Sequence, residues 1–276
     1  MTNFLTQRKT AAGLGIALVL VILLIFRSKI SDVLDFSVHT INREPSANSD
    51  DEYVAPHSSQ GLSQTENKEV GMTAVVSPYA GRDSEEVRPN PEEVKLFSEE
   101  QKNNLYNQIG NEGKAVKEDP QYFNGWIQLG LLKKVIGDYE GARDAWEYAG
   151  RIRPKNSISF ANLGELYWRY LPDFPRSEAN FNIALRNKPD DAGVYVSLSD
   201  LYFYSYAKKA DHADDVLLDG LKANPENLTL MKHLASLYER QGNKKQALEW
   251  WEKVLAKDPS DTAVAAAIET LKKKAK

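Results

Sequence analysis

Five prolines recur at near-constant spacing through the C-terminal part of this 276-residue chain. Pro120, Pro154, Pro189, Pro225 and Pro259 lie 34, 35, 36 and 34 residues apart. Each follows an apolar, helix-forming run. Proline lacks an amide hydrogen and fixes its own φ, so it ends one helix and opens the next turn. A period near 34 with two helical stretches per period implies a repeated helix–turn–helix.

The residues inside each period keep register. The first carries Trp126, Leu129, Gly130, Ala142, Trp146, Ala149 and Pro154, with Lys133 where the others place tyrosine. The second carries Phe160, Leu163, Gly164, Tyr167, Phe181, Ala184 and Pro189, with Ser177 in place of alanine. The third carries Tyr195, Leu198, Tyr202, Ala213, Gly220 and Pro225, with Ser199 for glycine and Leu217 for an aromatic. The fourth carries Met231, Leu234, Ala235, Tyr238, Gly242, Ala247, Trp251 and Pro259. This pattern resembles the tetratricopeptide repeat (TPR) family. The resemblance implies an all-α fold, a TPR α-solenoid of about four repeats over residues 123–156, 157–191, 192–227 and 228–261. Small residues at the eighth and twentieth positions let the two helices of a repeat approach. Aromatics at positions four, eleven and twenty-four fill the space between repeats, and stacking buries the apolar face that one repeat cannot cover alone.

Both ends read as caps. Residues 98–117 suggest a preceding helix opened by a Ser98–Gln101 capping box. Residues 262–275 suggest a closing helix whose Lys272, Lys273, Lys274 and Lys276 suit its negative end. The inter-helix turns of the second repeat (170–175) and third repeat (205–211) are one and two residues longer than the family standard. They read either as contact points or as tolerated insertions.

Upstream, residues 10–26 (TAAGLGIALVLVILLIF) carry no charge. As a helix they would span roughly 25 Å, and Arg8, Lys9, Arg27 and Lys29 flank them for snorkelling to the interfaces. No small-x-small cleavage site follows, which favours an uncleaved anchor over a signal peptide. We expect a short tail (1–9), a single transmembrane helix (10–27) in contact with the bilayer, a disordered acidic linker (28–92) and a TPR domain (93–276). Residues 44–93 hold eleven acidic and three basic residues, a net charge of −8, with five prolines. Such composition buries too little apolar surface to offset ordering entropy. One apolar island interrupts it, residues 72–79 (MTAVVSPY), either a short docking segment or chance composition. The short N-terminus preceding a long polar domain favours an extracytoplasmic repeat domain.

Chemistry is not signalled. With no cysteine, thiolate metal sites, disulfides and cysteine nucleophiles are excluded. A net charge of −4 argues against nucleic acid. No phosphate loop, dinucleotide-binding, nucleophile-elbow or zinc-protease motif occurs. The cluster of Asp211, His212, Asp214 and Asp215 sits at a helix start, where acids favour the positive dipole end. We therefore expect no enzyme activity, no cofactor, no metal and no small-molecule substrate.

The family resemblance implies a concave groove lined by first-helix residues. Carried onto this chain, the groove offers Asn162, Glu165, Trp168, Arg169, Asp200, Phe203, Tyr204 and Lys232 to a protein partner. The carboxylate clamp known in the family is not matched. Ile127, Leu131, Gly193 and Ser197 stand where it needs lysine, arginine or asparagine, and only Asn162 agrees. The three aromatics read either as binding hot spots or as packing between helices. These readings point to a membrane-tethered interaction scaffold. A chaperone-like holdase at a secretion or envelope-assembly complex and a non-catalytic accessory subunit of an envelope enzyme complex are the alternatives.

Overall fold

The computed structural model describes residues 76–273. The expected transmembrane segment, residues 10–27, lies outside the described residues, as does most of the expected linker. Among the described residues no helix is long and apolar enough to cross a membrane.

These residues form eleven α-helices and one 3-10 helix, with no strand among them. The order is α1 (Pro91–Val94), α2 (Glu99–Glu118), α3 (Phe123–Val135), α4 (Tyr139–Ile152), α5 (Ile158–Arg169) and α6 (Phe174–Asn187). It continues with α7 (Ala192–Tyr204), a 3-10 turn (Ala207–His212), α8 (Ala213–Ala223), α9 (Leu228–Arg240), α10 (Lys244–Lys257) and α11 (Thr262–Lys273). Helices α3 to α10 pair as four consecutive hairpins, in the register of the proline period. The array is a TPR-like solenoid.

Short polar side chains begin the helices. Asp138, Asp173, Asp191, Asn227 and Asp261 each accept a backbone N–H three residues on, satisfying an otherwise unpaired donor. The Ser98–Gln101 capping box forms in both directions at α2. Gly137 and Gly242 follow α3 and α9 with φ of 80° and 78°, left-handed values that disfavour a side chain.

Close helix approach follows the small-residue positions. A Cβ on Gly130 would lie 2.3 Å from the Trp146 indole nitrogen, and one on Gly164 would lie 2.5 Å from Phe181. The serines that replace the expected small residues serve packing with a hydrogen bond. Ser177 Oγ donates to Gly164 O (2.6 Å) and Ser199 Oγ to Ala213 O (2.7 Å), both buried. The closeness of each hairpin is thereby kept without an unsatisfied hydroxyl.

Successive hairpins are tied by a repeated latch. Tyr167 OH donates to Glu147 (2.9 Å), Tyr202 OH to Glu178 (2.5 Å) and Tyr238 OH to Asp214 (3.0 Å). Each phenol at position eleven thus reaches a carboxylate on the second helix of the preceding hairpin. Burial, then the carboxylate, pushes the Tyr167 and Tyr238 phenols up to about 12 and raises Tyr202 also.

One expectation needs correction. The linker does not extend to residue 92: residues 76–92 belong to the folded unit. Tyr79 packs 4.5 Å from the Trp126 ring and 5.4 Å from Tyr148. Arg82 donates to Asp144 at 2.7 Å, and buried Ser84 donates to Gly113 O at 2.8 Å. Val76, Val87 and Val94 join the same core cluster, which assigns part of the apolar island to docking within the chain. Window composition there is acidic, but a few well-placed side chains recover enough contact to order the segment, here called the strap. Lys133, which stands where the other repeats place tyrosine, is a fully buried residue. Its Nζ donates to Glu86 O of the strap (2.7 Å) and pairs with Asp138 (3.2 Å). The enlarged third turn is also accounted for, since the 3-10 turn occupies it.

Candidate functional site

The first helices α5, α7 and α9 carry the eight predicted partner-binding residues, and the structure divides them. Trp168 is 8% exposed within the core cluster that includes Phe181, Leu201 and Tyr202. Its indole N–H donates to Ser205 Oγ at 2.8 Å, across to the next hairpin. Packing is therefore what Trp168 does. Phe203 is half-buried against the same cluster, with its ring 4.8 Å edge-on from Tyr204. Tyr204 itself is 55% exposed, and Arg240 of the following hairpin lies 5.8 Å from its ring centre.

The charged members form cross-hairpin pairs. Glu165 lies 3.6 Å from Lys134 of the first hairpin and 3.9 Å from Arg169. Arg169 also stacks 3.8 Å from the Trp168 ring, so its aliphatic stem and guanidinium cover the indole. Asp200 meets His233 of the fourth hairpin at 2.9 Å. Lys232 meets Asp261 at 2.6 Å, and this hydrogen bond holds the Asp261 carboxyl below the usual range. Asn162 is half-buried. The sequence carried over Glu165, Arg169, Asp200 and Lys232 one by one, but Glu165 and Asp200 find their partners Lys134 and His233 in neighbouring repeats. A repeat period of 34 places such pairs close together, though the pairing itself depends on the angle between hairpins.

The resulting face is a row of ion pairs broken by one exposed aromatic–arginine couple, Tyr204 with Arg240. Exposed pairs of this kind contribute little stability, about 0–1 kcal/mol each. Their greater effect is to hold long side chains in fixed places, which lowers the ordering cost of binding. Among the described residues no group of three His, Asp or Glu could hold a metal. His212 lies 3.1 Å from Asp215, while Asp214 accepts from Tyr238, so the acidic cluster at α8 is divided between two tasks.

No model of a known protein family matches the sequence. The chain is 29% identical over 106 residues to the formate-dependent nitrite reductase complex subunit NrfG of Escherichia coli, a stretch covering 38% of this chain and 53% of that one. It is 47% identical over 34 residues to the TPR repeat-containing protein PA0015 of Pseudomonas aeruginosa, covering 12% and 32%. The chain thus spans about half, and about a third, of the curated relatives it matches. The crystal structure of a tetratricopeptide repeat protein from Parabacteroides merdae superposes with a TM-score of 0.48 at 18% identity, covering 65% of this chain and 71% of that one.

Proposed function

We propose that this protein is a non-catalytic interaction scaffold that captures a segment of a partner protein along its first-helix face. The observation that carries this reading is the exposed couple of Tyr204 and Arg240, set among ion pairs that fix the surrounding side chains. Tyrosine and arginine supply large contact area and directional hydrogen bonds at modest entropic cost, which is why they dominate binding hot spots. The partner segment this face suits has an apolar or aromatic anchor beside acidic groups able to meet Arg240 and Arg169. Residues 10–27 would tether the scaffold to a membrane, with the helical array on the extracytoplasmic side.

Tyr204→Ala with Arg240→Glu tests the face without touching the core. Capture of partners from detergent-solubilised membranes should lose one or a few proteins relative to the unaltered chain, with an unchanged thermal melt. An identical set of captured proteins would refute the assignment of this face. Protease protection in sealed vesicles tests the sidedness, and an array shielded from protease inside intact cells would reverse it.

The match to a subunit of the nitrite reductase complex favours a second reading, in which the partner is a subunit of an enzyme assembly and this chain an accessory component. Co-purification of a stoichiometric catalytic partner distinguishes it from an adaptor that serves several clients.

A further inference from the structure

The strap occupies a groove on the first hairpin that the third hairpin repeats and leaves open. In the first hairpin the strap meets Trp126 (position four), Lys133 (eleven), Asp144 (twenty-two) and Tyr148 (twenty-six), together with Gly113 of the preceding helix α2. Counted in the same register, with the two-residue insertion at the turn allowed for, the third hairpin places Tyr195, Tyr202, Asp215 and Asp219 at those positions. Asn182 of the preceding helix α6 stands in for Gly113. These five residues line one cavity of about 290 Å³. The correspondence is specific. Position twenty-two is Ala179 in the second hairpin and Glu249, paired with Lys253, in the fourth. Only the first and third hairpins join an aromatic residue at position four to an aspartate at position twenty-two.

We propose that this third-hairpin groove is a second docking site, taking an extended segment of a partner protein in which an aromatic residue is followed three positions later by arginine or lysine. The chain itself supplies the precedent: in the strap, the Tyr79 ring lies on Trp126 and Arg82 pairs with Asp144. Charge complementarity fixes the sign. The third hairpin presents Asp215 where the first presents Asp144 to Arg82, which calls for a basic residue in the occupant, while Asp219 is already paired with Lys222 at 2.6 Å. Lys209 and His212 also line the cavity; Lys209 is engaged 3.3 Å from Glu178. Asp215 is 64% exposed, with His212 3.1 Å away. Asp219 replaces the bulk of Tyr148, which leaves room for the incoming ring over Tyr195. At Gly113 the strap backbone lies where a side chain would be, a Cβ there falling 2.4 Å from Ser84 O, so beside Asn182 an occupant must turn away after its basic residue. The site uses neither Tyr204 nor Arg240, so it stands or falls apart from the first-helix face.

The strap provides the probe. A fluorescent peptide with the sequence of residues 76–83 (VSPYAGRD) is titrated into the full chain in mild detergent and followed by anisotropy. Saturable binding is expected, weakened about tenfold or more by Asp215→Lys in the protein, and equally by Arg82→Glu in the peptide, which leaves the protein untouched. An unchanged thermal melt accompanies the Asp215→Lys result, because that side chain is exposed. No saturation, or binding indifferent to both changes, overturns the proposal. Loss of binding on Asp144→Lys but not on Asp215→Lys also overturns it, because the peptide would then be displacing the chain's own strap. A dimer in sedimentation that dissociates on Asp215→Lys would assign the groove to a second copy's strap and overturn a partner segment.

Discussion

Replacing Lys133 with methionine isolates the buried ion pair that joins the strap to the first hairpin. The side chains of Lys133 and Asp138 are 3% and 4% exposed, so solvent screening does not discount their interaction. At 3.2 Å and an effective dielectric of about 20, the gross attraction is roughly 5 kcal/mol. Methionine fills nearly the same volume, so no cavity opens. It leaves Asp138 buried without its cation and Glu86 O without its donor. Breaking one side of such a pair costs about 3–5 kcal/mol. Asp138 also caps α4 through the Gly141 N–H, and asparagine would preserve that bond. Lys133→Met with Asp138→Asn therefore removes the buried charge altogether and should recover about 2–3 kcal/mol of the loss. For a folded unit of this size each kcal/mol moves Tm by about 2–4 °C, so the single variant should melt roughly 6–20 °C lower. Repeat arrays unfold in segments, and hydrogen exchange at the amides of residues 86–90 locates the loss in the strap. A single variant melting within about 1 °C of the unaltered chain, or a double variant as unstable as the sum of the two single ones, would refute an energetically coupled pair.

Other consequences follow from the latch and the packing. Tyr202→Phe deletes one hydrogen bond to Glu178, which keeps Lys209, and should cost about 1–2 kcal/mol in urea denaturation. Trp146→Ala removes a fully buried indole bonded to Ile127 O and should cost about 3–5 kcal/mol by the same assay. Gly164→Ala drives a methyl to within 2.5 Å of Phe181, and the resulting overpacking should cost about 1–3 kcal/mol. The array also favours neutral phenols, since Tyr167 and Tyr238 are pushed up to about 12. Raised acids of this kind contribute stability in full below the unfolded value of about 10, and lose it as pH climbs from there to about 12. Phenolate absorbance should therefore rise together with loss of helical signal in alkaline titration; phenols ionising near 10 in a chain that stays folded would refute the latch.

Much of the array was legible because its determinants are local and periodic. The prolines that end each hairpin, the aspartates and asparagines that cap helices, and the glycines facing Trp146 and Phe181 all act within one repeat. Residue spacing therefore reports them. The strap was not legible in the same way. Its contacts span long separations, 62 residues for Arg82 to Asp144 and 47 for Lys133 to Glu86 O. Each rests on one side chain in a window whose average is acidic and proline-rich. Only the apolar island ending at Tyr79 signalled it. On the candidate face, exposure was harder to read than position. Trp168 and Tyr204 both sit on first-helix positions assigned to the groove, yet one is buried and the other open. The difference lies in what the next hairpin brings: Ser205 to receive the Trp168 N–H, and Arg240 alone near Tyr204.

The departures from the repeat pattern carry most of what distinguishes this chain. Tyrosine at position eleven meets a carboxylate on the second helix of the preceding hairpin in the second, third and fourth hairpins, and among the described residues no such hairpin precedes the first. Lys133 takes a different course: it turns its charge to Asp138 of its own hairpin and its remaining donor capacity to the strap. The strap then covers the groove of the first hairpin, its Tyr79 ring on Trp126. Ser177 and Ser199 likewise sit where the pattern asks for alanine and glycine, and each hydroxyl finds a carbonyl in the facing helix. A pattern relaxed by neutral drift would leave such residues unsatisfied or displaced to the surface. Here each departure meets a partner, and the partner is specific to its place in the array. By the same reasoning, Asp215 of the third hairpin, matched in register to the Asp144 that holds the strap, marks the position where the occupant comes from outside.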